Sequence, residues 1–374
     1  MNALQRDASK FPRLRSTPTP SATLAIYRHR VDAAHGARNS GRFAPCALVA
    51  IVAQPIMSTT TGFNIQGHRG ARGLRPENSL PGFAYALSVG VTTLEFDVGI
   101  TADDHLVVIH DRYLNPDIVR DASGQWLSEQ GPLLRQLSLN QLREYDIGRI
   151  NPATDYAQEL PHQVAVDGAR IPTLEEVVWL TRVAQNTEVR FNIEIKVSPE
   201  APDDTLDPDA FTERVLTEMG RLGITERCTL QSFDWRVPLH CQQIAPEITT
   251  GYVSAQQTWY DTIWANVQEP SPWTDRFQYA DYAGSLPEMV KAAGGAIWSP
   301  YYGELTKKLI AYAHHLDLQV IPWTVNRAED MRRLIDWSID GLITDYPDEL
   351  RKVAVECGQP VPGPTPLDVD ESTL

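Results

Sequence analysis

Residues 67–111 read GHRGARGLRPENSLPGFAYALSVGVTTLEFDVGITADDHLVVIHD. The stretch resolves into strand, helix, strand and returning strand. Asn78 or Ser79 can cap the helix, Pro81 is tolerated in its first turn, and Leu80, Phe83, Ala84 and Leu87 share one face. Gly90 is placed to end it. The following run, 93–98, is an apolar strand interrupted by Glu95 and Asp97. Asp103-Asp104 is a turn signal, so 106–110 is expected to fold back as a hairpin and bring His110 beside Asp97.

The same alternation of β-branched runs and helical patterns continues outward from this unit. Candidate strands at 63–67, 93–98, 189–196, 228–233, 248–253, 296–299, 319–325 and 341–344 make eight, with the hairpin at 106–110 counted apart. Eight repeated βα units predict an α/β fold of the TIM (β/α)8 barrel type, with a hairpin and a small insertion after the second strand. A later helix opens at Ile171-Pro172-Thr173, where Thr173 can cap and Glu175-Glu176 suit the positive end of the dipole. Two insertions, about 112–170 and 256–286, follow strand ends and are expected over the catalytic face. The second carries Trp259, Tyr260, Trp264, Trp273 and Phe277. Either could be a lid or specificity wall, or an excursion pinned by its aromatics.

The barrel is assigned to 63–352, with a disordered or mis-annotated leader at 1–62 and a Pro-rich, acidic, disordered tail at 353–374. Met57 reads as the natural start, and a cytoplasmic location follows. The alternative is a periplasmic or secreted protein if 43–56 acts as a signal segment. The apolar run 47–53 is too short to span a bilayer, so no stable membrane insertion is expected. A formal net charge of −15 argues against nucleic-acid binding, but not against an anion held in one arginine-lined cleft. Four scattered cysteines show no CxxC spacing and no disulfide framework. The oligomeric state is not legible.

Alternate side chains of a strand point the same way, so Glu95 and Asp97 face inward together while Phe96 packs outward. Glu194-Ile195-Lys196 repeats the arrangement on a later strand. Three converging carboxylates repel unless a cation or proton lies among them. One divalent cation, Mg²⁺ or Ca²⁺, suits oxygen ligands from Glu95, Asp97 and Glu194. A buried salt bridge is the bland alternative for any one of them. His68 and His110 are both expected to reach this point as an acid–base pair, or as ligands of a zinc ion with Asp97 and Glu95. His105 and His314-His315 take the structural reading. Arg69 offers a planar fork to phosphate oxygens and Lys196 a point charge. Arg72 and Arg75 read as solvated, and Glu77 as a supporting residue that orients Arg69 or its loop.

His68-Arg69-Gly70, Pro76-Glu77-Asn78, Glu95-Phe96-Asp97, His110-Asp111, Glu194-Ile195-Lys196, Trp323-Thr324-Val325-Asn326 and Gly341-Leu342-Ile343-Thr344-Asp345 occur in this order. Together they resemble the glycerophosphodiester phosphodiesterase family, whose barrel is of the phospholipase-C-like type, over essentially all of 64–352. The resemblance implies metal-dependent hydrolysis of a small-molecule glycerophosphodiester to glycerol 3-phosphate and an alcohol. It assigns the metal to Glu95, Asp97 and Glu194, general acid and base to His68 and His110, and phosphate contact to Arg69 and Lys196. Trp323 would line the pocket for the glycerol or leaving group. Rival readings are a lysophospholipase D or sphingomyelinase-D-like enzyme, a metal-dependent sugar isomerase, and a non-catalytic barrel that only binds.

Overall fold

The computed structural model describes residues 62–265, 271–368 and 371–374, apart from the side chain of Ser372. The leader, the Met57 start and the 43–56 signal alternative therefore lie outside the described residues, save Gly62. Eight parallel strands form the barrel: β1 Asn64–Gly67, β2 Thr93–Ile100, β4 Arg190–Ile195, β5 Cys228–Ser232, β6 Thr249–Ser254, β9 Ile297–Pro300, β10 Gln319–Val320 and β11 Gly341–Thr344. β3, Leu106–Val108, pairs antiparallel with β2 and is the expected hairpin. A two-stranded ribbon, β7 Gln256–Gln257 with β8 Tyr260–Asp261, stands apart in the second insertion.

The strand expected at 319–325 is regular only over β10. Pro322 has no N–H to give the ladder, so the regular pairing stops there. Sheet-like bonds nevertheless continue past it. Trp323 N donates to Pro300 O (3.1 Å), Val325 N to Ile343 O (2.9 Å) and Ile343 N to Pro322 O (3.0 Å), closing the barrel against β11.

Helix α1, Leu80–Val89, is capped by Ser79, whose Oγ accepts from Gly82 N, and ends at Gly90 with φ 87°. Asn78 is left free for the site. Gly70 holds the turn after β1 with φ 88°, and a Cβ there would lie 2.9 Å from the carbonyl carbon of Gly82. The turn therefore packs directly on the start of α1, which only glycine allows. Short helices α2, Leu139–Leu142, and α3, Asp155–Glu159, belong to the first insertion. That insertion packs on the β3 hairpin in a second small core of Val107, Ile109, Leu114, Ile118, Leu142 and Ile171, among others. Helix α4, Leu174–Val183, opens on Thr173 with a reciprocal capping box to Glu176. The remaining helices are α5 Pro208–Leu222, α6 Arg236–Ile244, α7 Leu286–Ala292, α8 Lys307–His315, α9 Ala328–Asp336 and α10 Pro347–Glu356.

The C-terminal segment differs from its expectation. Helix α10 runs to Glu356, with Val353 and Ala354 buried. Beyond it the chain packs back on the barrel: Thr365 N donates to Leu87 O (2.9 Å), and Arg351 donates to Gly90 O and Pro362 O (2.9 and 2.6 Å). Val361, Leu367 and Leu374 pack against the core. A proline-rich strap has few N–H donors to satisfy, so it can dock through its own carbonyls, as Pro362 O does, and through apolar contacts without a ladder.

Phe96 is fully buried and packs edge-on against Phe83 (5.6 Å) and Phe191 (6.2 Å). It locks the strand that carries Glu95 and Asp97 to α1 and β4. Phe96→Ala is expected to cost about 3–5 kcal/mol of unfolding free energy, read from the denaturant midpoint. A loss below about 1 kcal/mol would contradict this packing role.

Candidate active site

The site stands at the C-terminal ends of the barrel strands. Glu95 and Asp97 project from β2, and the parallel register sets Asp97 opposite Glu194 on β4. All three carboxylates are buried, and one oxygen from each lies within 4.8 Å of the others. Lys196 Nζ lies 2.6 Å from Glu194 Oε1 and 3.4 Å from Asp97 Oδ1. Arg69 N donates to Glu95 Oε2 (2.9 Å) and Asn78 Nδ2 to Asp97 Oδ2 (2.9 Å). Gln231 Nε2 reaches Glu95 and Glu194 at 3.4 and 3.5 Å.

Burial, with the charges of Asp97 and Glu194, pushes the Glu95 carboxyl well above its usual range. For Asp97 burial acts the same way, but Lys196, His110, Arg69 and Asn78 outweigh it and hold the group below its usual range. A proton on Glu95 and a cation among the three oxygens relieve the same repulsion. This hard, anionic, converging donor set fits a divalent metal ion. Among the described residues the cluster able to hold a metal is Glu95, Asp97 and Glu194, and it contains neither histidine.

His68 follows β1, and its Nδ1 lies 2.6 Å from Asp345 Oδ1. Asp345, just after β11, is itself fixed by a two-pronged contact from Arg72 (2.8 Å to each oxygen) and by Asn326 Nδ2 (2.7 Å). Burial pulls the His68 ring down to about 4, although Asp345 pulls the other way. The ring is therefore neutral at pH 7. Its partner assigns the proton to Nδ1 and leaves the Nε2 lone pair available. His110 Nδ1 lies 3.0 Å from Asp111 Oδ1, and Asn115 holds the other Asp111 oxygen at 2.7 Å. Despite burial, His110 and Asn115 keep Asp111 below the usual carboxylate range. Both histidines line one cavity of about 160 Å³ with the three carboxylates, Arg69, Lys196 and Trp323.

Arg69 donates through Nη1 to Glu77 Oε1 (2.8 Å), so Glu77 supports the arginine from outside the acidic cluster. Arg69 Nε is buried with no hydrogen-bond partner among the described residues and lies 3.5 Å from Asp97 Oδ2. An unsatisfied guanidinium donor beside a cavity suits an incoming oxyanion. Trp323 is pinned by donation from Nε1 to Ser299 O (3.1 Å).

Arg72 is a correction to the expectation of a solvated side chain: it is mostly buried, paired with Asp345 and hydrogen-bonded to Tyr156 OH (3.1 Å). Arg75 is half-buried as well, pairing with Glu371 and lying over the Tyr85 ring. Tyr156 was not singled out by its sequence. Its hydroxyl donates to Glu77 and accepts from Arg72, so the first insertion braces both arginine–carboxylate pairs. Asp345 and Asn326 were visible within their motifs, but only the closed barrel brings them to His68.

A barrel that gathers two histidines, Arg69, Lys196 and three carboxylates able to hold a metal ion at its strand ends carries the groups of a phosphodiester hydrolase. The model of the glycerophosphoryl diester phosphodiesterase family matches residues 68–349. A glycerophosphodiester phosphodiesterase from Caldanaerobacter subterraneus is 27% identical over 283 residues, covering 76% of this chain and 94% of its own. The crystal structure of a putative glycerophosphoryl diester phosphodiesterase from Silicibacter pomeroyi is 33% identical with a TM-score of 0.69, over 79% of this chain and 94% of that one. A phosphodiesterase from Oleispira antarctica, solved with its product sn-glycerol-3-phosphate, shares the fold at 20% identity and a TM-score of 0.57, over 79% and 98% of the two chains. The chain belongs to the glycerophosphoryl diester phosphodiesterase family and is a hydrolase.

The electrostatics of His68 carry a direct expectation. Because its folded value is lowered, the unfolded state binds a proton first as pH falls. His68 then contributes stability that is present above about pH 6.5 and lost on the way to about 4. Nitrogen NMR of the ring should show a neutral, Nδ1-protonated imidazole at pH 6. An imidazolium at that pH would contradict the assignment.

Proposed function

We propose that the protein hydrolyses glycerophosphodiesters to glycerol 3-phosphate and an alcohol, with His68 as base and His110 as acid. The observation that carries this reading is the shared cavity. It joins a neutral histidine held by a buried carboxylate, a second histidine, and three converging metal-type ligands. Arg69, with its unsatisfied Nε, and Lys196 bind the phosphoryl oxygens and offset the charge that grows on them in the transition state.

His68 Nε2 accepts the proton of the nucleophile, either water or the neighbouring glycerol hydroxyl (whose cyclic phosphate water then opens), as its oxygen bonds to phosphorus and the bond to the departing alcohol breaks; Asp345 stabilises the imidazolium that results. Arg72 and Asn326 hold Asp345 so that the ring cannot turn. His110, oriented by Asp111, gives a proton to the departing alcohol. Glu95, Asp97 and Glu194 would hold Mg²⁺ or Ca²⁺, which supplies Lewis-acid polarisation of the phosphoryl group.

His68→Ala and His110→Ala should each lower turnover by about 10²–10⁴-fold while leaving the folded state intact by circular dichroism. Phosphorus NMR of the wild-type reaction should show glycerol 3-phosphate as the phosphorus product. A near-wild-type rate in either variant would remove that histidine from the mechanism, and a different phosphorus product would overturn the reaction assignment.

A further inference from the structure

His68, Arg69 and Arg72 line the catalytic cavity, and they are joined to one another by way of Glu77, Tyr156 and Asp345, which do not line it. Arg69 Nη1 donates to Glu77 Oε1 (2.8 Å), and the Tyr156 hydroxyl donates to Glu77 Oε2. The same hydroxyl accepts from Arg72 Nη1 (3.1 Å). Arg72 then holds both oxygens of Asp345, whose Oδ1 faces His68 Nδ1 at 2.6 Å. Cations and carboxylates alternate along this chain, with the phenol as the neutral link between Glu77 and Arg72. A hydroxyl can fill that place because one oxygen both donates to a carboxylate and accepts from a guanidinium.

We propose that Tyr156 is a positioning residue for catalysis: its hydroxyl ties the guanidinium that meets the phosphate to the one that sets the base. The proposal rests on the phosphodiesterase reading above and adds to it a residue that touches neither substrate nor reacting atoms.

The hydroxyl matters because both of its partners are buried and depend on it. Among the described residues, Arg69 and Tyr156 are the hydrogen-bond donors to Glu77, one to each oxygen. Removing the phenol oxygen leaves Glu77 Oε2 and Arg72 Nη1 unmet, and a buried charged group without its partner is costly. Those two groups can satisfy each other only if the Arg72 guanidinium turns away from Asp345. That turn would release the carboxylate that orients the His68 ring, and it would also draw Glu77 from Arg69. One substitution would therefore loosen phosphate binding and the base together.

Tyr156 is itself delivered with precision. It stands on α3 of the first insertion, packed with Ala157 against the second small core, where Leu160 is buried. The segment is fastened to the loop it serves, since Gln163 Nε2 donates to Arg72 O (2.8 Å) and Val164 N to Leu74 O (2.9 Å). The Arg72 guanidinium lies over the Tyr156 ring at 5.7 Å, a contact that a phenylalanine would keep. Burial and the Glu77 charge push the phenol above its usual range, so the proton that Glu77 accepts is retained.

The test compares the wild type with Tyr156→Phe, Glu77→Gln, the double variant and Gln163→Ala, each checked for folding by circular dichroism. Hydrolysis of glycerophosphocholine and glycerophosphoethanolamine is measured with Mg²⁺ or Ca²⁺ present, and glycerol 3-phosphate binding by calorimetry. In Tyr156→Phe, kcat should fall by about 10–100-fold and the dissociation constant of glycerol 3-phosphate should rise. The double variant should lose little more than the worse single one, because both substitutions cut the same chain. Gln163→Ala should stay close to the wild type. An unchanged kcat or an unchanged dissociation constant in Tyr156→Phe would overturn the tie between the two arginines. So would losses that multiply in the double variant. A loss in Gln163→Ala as large as in Tyr156→Phe would assign the effect to docking of the insertion and overturn the role of the hydroxyl. Hydrolysis of neither diester by the wild type would overturn the phosphodiesterase reading itself, a failure seen before any substitution is made.

Discussion

Glu95, Asp97 and Glu194 are forced together by the register of two parallel strands, and the rest of the site is arranged around that repulsion. At separations within 4.8 Å, two like charges in a protein interior repel by at least about 3 kcal/mol per pair. Nothing in the barrel lets them relax apart, because β2 and β4 are paired residue by residue through this point. Compensation has to come from neighbours. The Lys196 ammonium, the Arg69 backbone N–H, the Asn78 amide and the Gln231 amide each supply part of it. A divalent cation held among the three oxygens would complete the balance with chemistry that a proton on Glu95 cannot provide.

The same constraint explains why the arginines are buried. Arg69 stands between Asp97 and Glu77, and Arg72 grips Asp345, which in turn orients His68. Tyr156 links the two systems by touching Glu77 and Arg72. Its side chain comes from the insertion that packs in the second small core, so that loop is built into the catalytic face rather than laid over it. The second insertion contributes differently. Its ribbon adds two aromatic rings beside His110, where the departing group would lie.

Much of this was legible in the sequence because strand periodicity is strict. Glu95 and Asp97, two apart, had to share a face, and the Asp103-Asp104 turn had to send the chain back. The structure bears out both, along with the eight barrel strands and the caps at Ser79 and Thr173. What stayed hidden depended on contacts across long separations. Asp345 lies 277 residues from His68; the expected barrel sets the last strand beside the first, but no local pattern reports that the Asp345 carboxylate meets the His68 ring. Arg72 looked solvated because its only signals were a polar side chain in a glycine-rich turn. Tyr156 sits in a segment without strong periodicity. The C-terminal strap looked disordered because proline-rich composition describes a lack of regular hydrogen bonding, which a docked strap shares.

The central claim is that the three carboxylates hold one divalent cation. Calorimetric titration of chelator-stripped protein with Mg²⁺ and with Ca²⁺ tests it most directly. The account predicts binding of a single ion per chain by at least one of the two metals, abolished in Glu95→Gln and in Asp97→Asn variants that remain folded. Absence of binding to the folded wild-type protein, or binding unchanged in both variants, would contradict it.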